Sequence, residues 1–177
     1  MRGSVRSRGA ALLAMYWVCL PALALAADEP ASASLTVVAT VGQSACNLRS
    51  GDEAITLQME ASLQTLRTQG QMPAVPFDLH LEGCSDVASR VHLRFSGQGV
   101  AGQPALLALD PTSEASGVAI ALSLAGEPIA LNEVAPPQRL YGAENILHCA
   151  ARLTRLTDAE LQAGAFSATT TFELHYD

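Results

Sequence analysis

Phe166-Ser167-Ala168-Thr169-Thr170-Thr171-Phe172-Glu173-Leu174-His175-Tyr176-Asp177 alternates at every step without a break. Successive side chains of a strand point to opposite faces, so Phe166, Ala168, Thr170, Phe172, Leu174 and Tyr176 share one face and the polar set shares the other. Taken alone, this is a C-terminal core strand with one wet face. Working outward, the same period recurs in Phe77, Leu79 and Leu81, in Val91, Leu93 and Phe95, in Ile55 and Leu57, and in Val118, Ile120, Leu122 and Leu124. Ser50-Gly51-Asp52, Gly97 to Pro104, Asp110-Pro111, Gly126-Glu127-Pro128 and Pro136-Pro137 punctuate these blocks as turns. No stretch of a dozen residues holds a helical period, and only Thr157-Asp158-Ala159-Glu160, similar to a capping box, predicts one helical turn before Gly164. Short strands at this spacing predict an all-β domain, a sandwich in preference to a barrel.

The other end of the chain has a different character. Arg2, Arg6 and Arg8 precede an apolar run from Ala10 to Leu20, then Pro21 and the small residues to Ala27. This is the pattern of a secretory signal peptide, with cleavage expected after Ala26 and Cys19 lost with it. No apolar run is long enough for a membrane span. Beyond the leader, seven arginines face seventeen carboxylates, a net charge of −10, and lysine is absent. With aromatic residues at 5%, both the basic stripe and the stacking platforms of a nucleic-acid binder are missing, and the core must be aliphatic.

Residues 27–34 read as a small polar leader, followed by a further alternating segment, Leu35, Val37, Ala39 and Val41. Periodicity alone favours a first strand paired within its own sandwich; the alternative is a strand donated to another subunit. The exported chain keeps Cys46, Cys84 and Cys149, an odd number in an oxidising compartment, most simply one disulfide and one spare thiol.

Motifs for chemistry are sparse. Gly97-Gln98-Gly99-Val100-Ala101-Gly102 fits a dinucleotide-loop expression, yet Gln103-Pro104 breaks the chain where a helix is required, so it reads as a loop between strands. His80, His92, His148 and His175 alternate with apolar residues on strands and lack zinc-motif spacing. Nothing concentrates nucleophile, base and acid in one place, so no enzyme, metal or cofactor is expected.

The order of the pieces is similar to fimbrial pilins of the chaperone-usher, type 1 class. The likeness is carried by the alternating leader ending at Cys46, the run Phe77 to Cys84, Val91 to Gly97, Leu106 to Leu109, Ala115 to Ile120, and Ala163 through Phe172 to a penultimate Tyr176. The resemblance implies an incomplete immunoglobulin-like sandwich lacking its last strand, completed by a donor strand. It implies a Cys46–Cys84 disulfide; Cys149 reads as a buried free thiol in preference to an intermolecular disulfide or a reactive thiol. It further implies that Leu35, Val37, Ala39 and Val41 enter a neighbouring subunit's groove, Ala39 standing where similar pilins often carry Gly. Phe172, Leu174, Tyr176 and the carboxylate of Asp177 correspond to the strand gripped by a periplasmic chaperone.

The expected organisation is therefore a signal peptide over 1–26, a donor-strand extension over 27–42 and a pilin domain over 43–177. The expected role is a structural subunit of a bacterial surface fimbria, reached through the periplasm, with a chaperone, an outer-membrane usher and neighbouring pilins as partners and adhesion or biofilm formation as the work of the polymer. The alternative is a self-contained secreted sandwich that binds a glycan or a protein through its loops.

Overall fold

Each alternating block becomes a strand because one of its faces meets a second sheet. The computed structural model describes residues 31–40, 45–85, 90–157 and 159–177; the signal-peptide region, Cys19 and Val41 lie outside the described residues. In chain order the elements are β1 (Ala31–Thr40), β2 (Asn47–Leu48), β3 (Ala54–Ala61), α1 (Leu63–Gln69), β4 (Val75–Glu82), β5 (Arg90–Ser96), β6 (Gly99–Val100), β7 (Gln103–Leu107), β8 (Val118–Leu124), β9 (Glu127–Ile129), β10 (Gln138–Arg139), β11 (Asn145–Arg155) and β12 (Phe166–Tyr176). One sheet runs β10-β5-β12-β1-β3; the other runs β2-β4-β11-β8-β7-β6, with β9 added on β8.

The two sheets enclose a mostly aliphatic core. Leu79, Leu81, Leu93, Ile120 and Leu153 are buried in it, and Phe95 touches both Phe77 and Phe172 with ring centroids 6.2 Å apart in each pair. Thr170 is a polar side chain in the midst of this core, and its hydroxyl donates to the Ser96 carbonyl at 3.0 Å, which removes the cost of burying it.

Two local expectations change. The turn expected at Thr157 to Glu160 is not helical among its described residues; the chain there instead bridges back, Gln162 pairing with Ser116. The helix lies at α1, where Ser62 caps the start by accepting from the Thr65 N–H and Gly70 closes the end in the left-handed region at φ 75°. Seven residues with a single buried side chain, Leu66, are too few to display a helical period. The glycine-rich stretch behaves as expected, forming the β6–β7 hairpin.

Candidate functional site: the groove between β12 and β3

β1 is the strand on which the first sheet depends. It runs parallel to β12, with Leu35 opposite Ala168, Val37 opposite Thr170 and Ala39 opposite Phe172, and antiparallel to β3, with Leu35 opposite Leu57 and Val37 opposite Ile55. Among the described residues β3 joins the sheet only through β1. Take β1 away and β10-β5-β12 and a lone β3 flank an open slot floored by the core. The domain is thus a sandwich one strand short, completed by an N-terminal strand, which in this structure is the chain's own.

The slot is apolar and graded in size. Leu35 and Val37 are both fully buried. The larger β1 side chain, Leu35, stands opposite the smallest position of β12, Ala168; the small Ala39 stands opposite Phe172. Size complementarity of this kind fixes register, since a slip of two residues would overpack one end and leave a void at the other.

Beyond the Phe166 end of β12 the slot continues into an apolar cavity of about 30 Å³, lined by Ala61, Leu63, Leu66, Ala115, Gly164 and Phe166 among others. α1 closes one side of it, so the helix that the sequence did not reveal helps shape the groove. A Cβ on Gly164 would approach the Ala115 backbone N to 2.8 Å, so the absence of a side chain lets the Gly164 backbone pack closely against the Glu114–Ala115 segment at this end.

At the opposite end, the pairing of β1 with β12 among the described residues reaches Thr40 and Glu173. Burial along β12 follows that boundary: Phe172 is buried, whereas Leu174 and Tyr176 are half-buried and Asp177 lies beside His92, whose Nε2 is 3.3 Å from its Oδ1. The residues expected to meet a chaperone therefore sit together at the less covered end of the same groove. Desolvation raises the Tyr176 phenol to about 12.

The cysteines fall into two environments. Cys46 and Cys84 are disulfide-bonded, tying the entry to β2 to the exit from β4, and the Ser85 N–H donates to the Ala45 carbonyl at 2.8 Å beside them. Cys149 points into the core from β11, is a free thiol, and is raised to about 12 by burial first and the nearby Asp78 carboxylate second.

The histidines stand on outward faces beside carboxylates. His80 Nδ1 is 2.9 Å from Asp52 Oδ2, which also accepts from the His80 backbone N–H, and His148 Nδ1 is 2.8 Å from Asp78 Oδ1. These contacts arise from strand register and loop placement, which one-dimensional spacing does not contain. Among the described residues no group of three His, Cys, Asp or Glu converges as a metal site would.

The comparisons agree with this architecture. The uncharacterized fimbrial-like protein YcbV of Escherichia coli (strain K12) is 32% identical over 135 residues, 75% of this chain and 78% of the relative. The P pilus rod subunit PapA has a similar fold, with a TM-score of 0.67 at 24% identity, covering 76% of this chain and 100% of that one. A chain from a chaperone-usher pilus structure gives 0.68 at 24% identity, with 78% and 91% covered. The fimbrial protein family matches residues 32–177, a span that takes in the groove, the strand that fills it and both disulfide cysteines, and the chain belongs to that family.

Proposed function

We propose that this chain is a structural pilus subunit that polymerises by donor-strand exchange, residues 27–42 of one copy completing the groove of the next. The observation that carries this reading is the dependence of the first sheet on β1, a strand tethered to the rest of the domain by a short segment before Cys46. Backbone pairing along both edges of the slot supplies affinity, and side chains spaced by two supply register. Head-to-tail insertion is heterologous and does not close, so it yields a filament.

The cavity at the Phe166 end supports a direction for the incoming strand. In an antiparallel register that sets Leu35 opposite Thr170 and Val37 opposite Ala168, Ala39 meets Phe166 and Val41 reaches Gly164 and the cavity. Small again faces large, and Val41 adds an apolar side chain at the cavity. An unfilled pocket at the groove's end also gives an arriving strand a foothold before the resident strand has left.

Before assembly, an open groove exposes apolar surface and unpaired backbone, a route to aggregation, so a periplasmic chaperone covers it and grips Phe172, Leu174, Tyr176 and Asp177. An outer-membrane usher then exchanges that chaperone strand for a subunit strand. The family implies a pilus at the bacterial surface, where adhesion and biofilm formation belong to the polymer. Non-enzymatic structural work fits the fimbrial family.

The pairing of β1 within its own chain favours the second reading, a self-contained secreted sandwich that binds a glycan or a protein. One comparison separates the two: thermal unfolding of oxidised residues 43–177, alone and with residues 33–42 attached behind Asp177 through a flexible linker. Donor-strand assembly requires that only the supplemented form be soluble and melt cooperatively. A stable truncated monomer, indifferent to the added strand, establishes the self-contained module instead.

A further inference from the structure

We infer that the exported chain carries a small binding site for a carboxylated sugar, a pyranose bearing one acid group, in the cleft that Arg152 and Gln71 form with the β8–β9 hairpin. The site lies on the outer face of the second sheet, away from the groove, and is independent of how β1 is used.

Strand register builds the cleft. On β11, Arg152 and Thr154 stand on the outward face, and Arg152 pairs with Ala121 of β8, a residue too small to fill the space in front of it. Ala150, one outward position earlier, pairs with Ser123, which in turn pairs with Pro128 of β9. The β8–β9 turn is tight, with Ala125 and Gly126 both left-handed at φ 52° and 86°, so Pro128 is held in place as one wall. The other wall is Gln71, fixed beside β11 by its bridge to Thr154 and by the Met72 N–H donating to the Leu153 carbonyl at 2.9 Å. Between the walls lies a cleft of about 260 Å³, below the range of drug-sized pockets and suited to a single sugar ring.

The polar groups of the cleft define its ligand. Arg152 Nη1 donates to Gln71 Oε1 at 2.9 Å, which leaves the Nε–Nη2 edge, a planar two-donor fork of the shape that grips a carboxylate. Among the described residues no carboxylate pairs with Arg152 and none lines the cleft, in a chain where carboxylates outnumber arginines. The Gln71 amide nitrogen remains as a further donor. The Ser123 and Thr154 hydroxyls donate to the Ala150 and Gly70 carbonyls, each at 3.4 Å, so their oxygens are left as acceptors. Donors for an anion, acceptors for hydroxyls and the Pro128 ring for a C–H face together match an acidic sugar. Phosphate or an acidic side chain would leave the acceptors unused. The larger cleft at the other end of the same sheet has the opposite character: Arg49 Nε stands 3.9 Å from Glu82 Oε1 and Glu144 lines the same space, so an anion is repelled there.

The test is ligand-observed saturation-transfer NMR on the exported chain, disulfide formed, with methyl glucuronide as probe; this readout serves monomer and polymer alike. A ligand of this size should bind with a Kd of about 1 mM. Methyl glucoside, which lacks the charge, should bind about tenfold more weakly or worse, and Arg152→Gln should weaken glucuronide binding by the same factor. Arg155→Gln, which removes a charge nearby but outside the cleft, should bind as the parent does. Acetate, which keeps the charge but lacks the hydroxyls, should not displace the probe at equal concentration. Should Arg152→Gln fail to fold, Ala121→Asp, which sets a carboxylate directly opposite the guanidinium, should abolish binding in its place, and the glucoside and acetate comparisons need no variant. Equal response to glucuronide and glucoside, binding that survives Arg152→Gln, equal losses in Arg152→Gln and Arg155→Gln, or no saturable transfer at all each overturns the site. Displacement by equimolar acetate means an adventitious ion only and overturns the sugar assignment. None of these outcomes touches the donor-strand reading, which concerns the other sheet.

Discussion

Truncating Leu35 to Ala, paired with Val38 to Ala one face away, tests the groove most directly. Leu35 is fully buried between Leu57 and Ala168, whereas Val38 is 37% exposed on the outer face of the same strand. Removing three carbons from a site walled by two strands and a packed core leaves a cavity that the sheet cannot collapse, which costs about 3 kcal/mol. A partly exposed Val→Ala change on the outer face costs about 0.5 kcal/mol or less. For a domain of this size, about 3 kcal/mol lowers Tm by about 6–12 °C, and with a urea m-value near ~2 kcal/mol/M it moves the midpoint by about 1.5 M. Urea melts of the oxidised monomer, followed by near-ultraviolet circular dichroism, read both variants against the parent. If the two substitutions shift the midpoint equally, or if Leu35→Ala leaves it unmoved, β1 does not fill the slot and the packing argument is refuted.

Replacing Cys46 and Cys84 together by Ser should cost about 4 kcal/mol, the chain-entropy value for a crosslink spanning 38 residues, read as the difference between the urea midpoints of the variant and the oxidised parent. Gly117→Ala should be severely destabilising, by more than ~2 kcal/mol, because φ is +77° and the added carbon would run into the Glu160 carbonyl; Gly126→Ala, at φ +86° with nothing within 4 Å, should cost only about 1 kcal/mol in the same melts. The Cys149 thiol should ignore an aromatic disulfide reagent at pH 8 in the folded protein and react stoichiometrically in denaturant. Its folded-state value of about 12 against an ordinary 9.0 means the native state holds this proton more tightly, so the stabilisation is intact below pH 9 and fades as pH rises toward 12; Tyr176, raised from 10.0 to about 12, adds to the same alkaline loss, which equilibrium melts between pH 8 and 11 would detect.

Much of this architecture is written in local pattern. The strict alternation of residues 166–177 gives β12, the Phe77–Glu82 and Val91–Phe95 blocks give β4 and β5, and the proline and glycine clusters fall between strands. These features are legible because a strand's period is two and a buried face must be apolar. The helix escaped because seven residues complete fewer than two turns and bury one side chain, although Ser62 and Gly70 stand at its ends as cap and stop. Counting alone could not pair the cysteines, since three residues allow three pairings; the resemblance suggested the pair that the fold then brought together.

β1 marks where sequence stops and tertiary structure begins. Leu35, Val37, Ala39 and Val41 determine that a strand forms and which face it buries, for that is a property of consecutive residues. Alternation, however, reads the same from either end and in either of two molecules, so it sets neither the direction of the strand nor whose groove it enters. Those depend on the distance between the disulfide and the two ends of the slot, on the cavity beside Gly164, and on the taper from Ala168 to Phe172 against that from Leu35 to Ala39. Each is a relation between segments distant in the chain, and it exists only once the two sheets have closed on one another.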